Sequence, residues 1–158
     1  MTDSPATSAQ LDPATERALA VALFNRVWAL LETADRSPAQ TDEMIHAAHA
    51  SRYHWSVVGE PANLARGEWQ CSRVYAVIGR GEPALWHARR CLEILEAAGI
   101  GDWDLAAACE AMARASAVAG DGEAARTWAE RSRAACAAIA EDEDRRIVEA
   151  DLATLPLG

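Results

Sequence analysis

Between residues 42 and 55 the chain reads DEMIHAAHASRYHW, which gathers three of its four histidines, one tyrosine and two carboxylates. At about 100° per helical residue, Asp42, His46, His49 and Tyr53 fall within roughly 60° of arc, forming one polar stripe. His54 lies about 80° from His46 and about 140° from His49, and so stands off that stripe. Two histidines three residues apart can share a metal ion, and an aspartate one turn earlier can act as a third ligand or orient an imidazole. The chemistry on offer is metal or small-ligand binding. Without a ligand the same residues make a polar helix face.

Other reactive constellations are missing from the sequence. There is no HExxH, and GRGEPA (79–84) lacks the length and the lysine of a phosphate-binding loop. No serine occupies a nucleophile-elbow context. Cys71, Cys91, Cys109 and Cys136 are widely spaced without a CxxC, which suggests neither a zinc site nor a disulfide framework, so reduced, buried thiols are expected. His87 sits among Ala84, Cys91 and Ile94, an apolar neighbourhood that suits a packing histidine. No catalytic residue is assigned and no cofactor is expected; the alternative is a metal- or small-ligand-binding enzyme or sensor using Asp42, His46, His49, Tyr53 and His87.

The elements that must carry these side chains are helical. Of 158 residues, 51 % are hydrophobic and 25 % charged, the apolar share being mostly alanine and leucine with a single phenylalanine. The net charge of −9 opposes phosphate backbones, so no nucleic-acid partner is expected. All fifteen basic residues are arginine. No apolar run reaches a membrane span and MTDSPATSAQLDP carries no signal pattern, which points to a cytoplasmic protein without a membrane partner.

Start and stop signals recur. Ser37 is placed as an N-cap, with Pro38 at the first helical position and Gln40 completing a capping box, for a helix running to about Gly59. Asp12-Pro13, Glu60-Pro61, Glu82-Pro83, Asp102 and Asp121 read as further starts, while Gly79, Gly99 and Gly120 suit left-handed C-terminal caps. Six helices follow, and EDEDRRIVEADLATLPLG supplies a seventh. RVYAVIGRGEPALWHARRCLEI (73–94) aligns without a gap over RASAVAGDGEAARTWAERSRAA (114–135), an offset of about 41 that also places Trp69 over Trp28 and His87 over His46. Equivalent positions in stacked hairpins lie roughly 10 Å apart, so His87 could approach the stripe.

These units resemble long-unit tetratricopeptide repeats: Tyr75, GRGEPA and Cys91 fill the family's places in the middle unit, and Ser116, GDGEAA and Ser132 in the third. The resemblance implies an all-α, right-handed superhelical stack of three antiparallel hairpins (about 13–59, 60–99 and 102–140) with a capping helix at about 142–155. Residues 1–12 would be a disordered tail and 13–158 a single domain. It also implies a concave docking surface for a protein or peptide rather than an enzyme. Its groove positions fall on Asn25, Trp28, Glu32 and Arg36, on Arg66, Trp69, Arg73 and Val77, and on Glu110, Arg114 and Val118. Arginines flanking a tryptophan suit an acidic or aromatic segment, with homodimerisation through Leu19, Leu23 or Leu155 a further expectation.

Overall fold

Local capping sets the helix limits. A computed structural model describes residues 10–157, so residues 1–9 of the expected tail lie outside the described residues. Helix α1 (Pro13–Leu31) begins where the Asp12 carboxylate accepts from the backbone N–H groups of Ala14 and Thr15. Helix α2 (Pro38–Val58) carries the full Ser37/Gln40 capping box, and α3 (Pro61–Val77) begins with Pro61 in its first turn. Helices α4 (Gly81–Ala98), α5 (Asp102–Val118), α6 (Gly122–Cys136) and α7 (Asp142–Ala153) complete an all-helical chain. Among the described residues there is no strand, and no helix is long and apolar enough to cross a membrane.

The start expected at Glu82-Pro83 falls slightly earlier, because Pro83 is accommodated within the first turn of α4, where its missing N–H has no intrahelical partner to lose. The turns after α3 and α5 are built alike. Gly79 and Gly120 have φ of 74° and 86°, and the next N–H reaches back five residues, Arg80 to Tyr75 at 2.8 Å and Asp121 to Ser116 at 2.9 Å. This is the Schellman closure that a left-handed residue permits.

Sequential helices pack as pairs, α1 with α2, α3 with α4 and α5 with α6. Helix α3 also touches α1, α2 and α5, while α7 lies on α5 and α6. Buried alanines line the close contacts, among them Ala20, Ala65, Ala84, Ala88, Ala106 and Ala129. Their small side chains leave space for three buried serines, each donating to a carbonyl of the paired helix: Ser51 to Ala20, Ser72 to Ala84 and Ser132 to Ala106, at 2.8–2.9 Å. A buried hydroxyl satisfied in this way contributes about 1 kcal/mol. Larger apolar groups, notably Val27, Leu30, Met44 and Val74 near one end and Ile139, Val148 and Leu152 near the other, close the core.

Candidate functional site

Helix α3 presents two side-chain faces about 180° apart: Arg66, Trp69 and Arg73 on one, Glu68, Cys71 and Tyr75 on the other. The first opens on a pocket of about 380 Å³ between α1, α3, α5 and α7. Its walls are Phe24, Trp28, Trp69, Trp103, Ile147 and Val148, with Arg66, Asp104, Asp144 and Asp151 at polar positions. Trp28 and Trp69 meet with ring centroids 5.5 Å apart, and Phe24 stands edge-on to Trp28 at 6.4 Å. The Trp69 indole N–H is buried with no hydrogen-bond partner among the described residues.

The arginines of this face are already engaged. Arg66 donates twice to Asp104, both at 2.9 Å, and its guanidinium lies 4.5 Å from the Trp103 ring centroid. The Asp104 hydrogen bond raises the Arg66 pKa above its ordinary value. Arg73 lies 5.2 Å from the Trp69 ring centroid and contacts Asp151 at 2.8 Å and Glu110 at 3.2 Å. Arg114 meets the same Glu110 carboxylate at 2.6 Å and ties it to α7 through the Asp151 carbonyl and the Thr154 hydroxyl. Burial pushes the Glu110 carboxyl upward against the pull of both guanidiniums. This network braces α3, α5 and α7 behind the pocket.

Of the groove positions expected from sequence, Trp28, Arg66 and Trp69 therefore line the pocket, while buried Glu110 and the half-buried Arg73 and Arg114 form its support. Glu32 is the exposed C-cap residue of α1, and Arg36 donates to the carbonyls of Leu30, Leu31 and Thr33 at the same helix end. Asn25 and Val77 are exposed, and Val118 packs on the core. Leu23 and Leu155 are turned inward against core clusters, leaving Leu19 as the exposed member of that trio.

On the second face of α3 the histidine stripe divides. Asp42, His46 and Tyr53 remain exposed on α2. His49 instead reaches the Tyr75 hydroxyl at 2.9 Å, with its ring centroid 5.2 Å from that of His87. His87 stacks nearly parallel on Tyr75, at 5.7 Å, and its Nδ1 is hydrogen bonded to Glu68 at 2.6 Å. Arg52 of α2 donates to the other Glu68 oxygen at 2.9 Å, across Gly67, where an added Cβ would lie 2.7 Å from Arg52 Cδ. The equivalence of His46 with His87 by sequence offset thus gives way to a meeting of His49 with His87. Residue 49, a turn further along α2, faces the α3–α4 hairpin. His54 pairs with Glu16 of α1 at 2.5 Å, outside this group.

Cys71 completes the cluster: the ligand-capable atoms of His49, Cys71 and His87 all lie within 4.8 Å of one another. Burial pushes the Cys71 thiol up to about 12 and, together with the neighbouring His87, holds the His49 imidazole below its usual value. Burial also raises Glu68, but the hydrogen bond from His87 and the charge of Arg52 outweigh it and leave the carboxyl lowered. No CxxC marks Cys71 in the sequence. The spacing of Glu68, Cys71 and Tyr75, three and four residues apart, was the overlooked sign that one face of α3 carries polar and ligating groups.

On the pocket face, Trp103, Asp104, Asp144 and Asp151 were also not anticipated. They come from the first turn of α5 and from α7, whose approach to α3 depends on packing. Comparisons with protein-family models, curated proteins and solved structures find no match to this chain.

Proposed function

We propose that the chain is a non-catalytic recognition module, a helical repeat of the tetratricopeptide type, whose pocket between α1, α3, α5 and α7 receives an apolar side chain of a peptide segment bearing a cationic group. The carrying observation is the aromatic enclosure by Phe24, Trp28, Trp69 and Trp103. Matching turns at Gly79 and Gly120 and the pairing of successive helices support the repeat reading. Four free, buried cysteines are consistent with a reducing, cytoplasmic setting.

Charge favours one partner class over the other. The arginines that favoured an acidic segment are neutralised by Asp104, Glu110 and Asp151, whereas Asp144 lines the pocket without an ion pair among the described residues. Tryptophan faces beside a carboxylate attract lysine, arginine or quaternary ammonium groups. A rigid wall, braced by the Glu110 network, spares the protein much of the ordering cost of binding.

The test is selection of peptides from a random display library on the full chain, followed by affinity measurement of the enriched sequences. Enrichment of arginine or lysine beside leucine or an aromatic is expected, with affinity at least tenfold weaker for Trp28→Ala, as for a buried aromatic anchor. Enriched acidic sequences would refute the charge assignment. Affinity unchanged by Trp28→Ala would refute the pocket.

A further inference from the structure

We propose that His49, Cys71 and His87 form a binding site for a zinc-class divalent cation, independent of the pocket on the opposite face of α3. Three different helices deliver the ligands, His49 from α2, Cys71 from α3 and His87 from α4, so their convergence is a property of the tertiary structure and not of helical spacing. The three ligand atoms already lie within 4.8 Å of one another. A tetrahedral zinc ion, with bonds of about 2.0–2.3 Å, needs separations of roughly 3.5 Å. The remaining contraction is small, and His49, being exposed, has the freedom to supply it by side-chain rotation.

The surroundings match the needs of a metal ligand set. Glu68 holds His87 Nδ1 at 2.6 Å, which leaves the other ring nitrogen, Nε2, as the one free to ligate. A carboxylate behind a histidine is the usual device for fixing the tautomer and raising the basicity of a metal-bound imidazole. Glu68 is itself held by Arg52, so the support extends one shell further. One thiol and two imidazoles select a borderline-soft ion over calcium or magnesium, which prefer oxygen ligands. On binding, the Cys71 sulfur bonds the metal as thiolate and its proton passes to solvent. Three protein ligands leave the fourth position to water, and His49, whose Nε2 meets the Tyr75 hydroxyl at 2.9 Å, ligates through Nδ1 or on release of that contact. Asp42, His46 and Tyr53 take no part.

Cobalt(II) titration of the full chain under reducing conditions tests the site, because a thiolate bound to cobalt gives an intense near-ultraviolet charge-transfer band that histidine alone does not. One equivalent should saturate the band, and zinc should displace it. Cys71→Ser should abolish it, and Glu68→Gln should weaken binding about 10–100-fold, in the range of lost outer-shell support. His49→Ala, an exposed substitution that keeps the helices intact by circular dichroism, should weaken binding at least tenfold, whereas His46→Ala should leave it unchanged. Absence of the band in the parent protein, its persistence in Cys71→Ser, or equal loss in His46→Ala and His49→Ala would each overturn the assignment. The pocket proposal is untouched by any of these outcomes, since peptide selection reads the other face.

Discussion

On one side of α3, Arg66 and Arg73 reach carboxylates on α5 and α7. On the other, Glu68 receives Arg52 from α2 and His87 from α4. The two faces share a backbone but use their polar groups differently. Toward the pocket, guanidinium and carboxylate groups pair with each other and leave aromatic surface lining the cavity. Toward the cluster, two imidazoles and a thiol converge, with His87 held by the Glu68 carboxylate and His49 by the Tyr75 hydroxyl. The difference teaches that one helix can use its charges to tie neighbouring helices together on one face and gather imidazoles and a thiol on the other.

The sharpest way to break this contrast is to remove the shared carboxylate behind the pocket. Glu110 is 1 % exposed and serves both Arg73 and Arg114, so Glu110→Ala leaves two largely buried guanidiniums short of their partner. Losing one partner of such a network costs about 3–5 kcal/mol, to be read from the urea midpoint and slope. A loss below about 1 kcal/mol would mean that the network does not brace the pocket. In the metal-free protein His49→Ala should cost under about 1 kcal/mol, because the side chain is exposed and its partner Tyr75 retains access to water. A cost equal to that of Glu110→Ala would recast the histidine cluster as structural.

The smallest effect concerns pH. Burial raises the folded-state Glu110 carboxyl above its ordinary 4.5. Below that value both folded and unfolded chains hold the proton. As pH rises past it the unfolded chain releases its proton first, so this group's contribution to stability falls until the folded carboxyl also ionises. Glu110→Gln should remove that downward component when unfolding is compared across the mildly acidic range. A parent protein that gains stability relative to Glu110→Gln as pH rises would show that the two arginines dominate over burial.

Much of the scaffold was legible because the signals are local. Asp12, Ser37 and Gln40 cap through their own neighbours, and Gly79, Gly99 and Gly120 adopt positive φ where the helices stop. The pocket was half legible: Arg66 and Trp69 share one helix face, but Trp103 and Asp144 enter from α5 and α7. The offset of about 41 also misled at the histidines, pairing His87 with His46 where the structure joins it to His49. Gly81 and Gly122 make the same point at equivalent positions. A Cβ at Gly81 would lie 2.5 Å from Ala119 Cα, whereas one at Gly122 would meet only the Arg126 guanidinium, at 3.4 Å.

The sequence by itself determined the helices and most of their ends, since capping and periodicity act within a few residues of the chain. Only the tertiary structure decided that Arg66 is neutralised, that Trp28 meets Trp69, and that one thiol and two imidazoles from three helices stand together. Those outcomes depend on how close neighbouring helices pack, which is set by alanines, buried serines and Gly67 at contacts far apart in sequence.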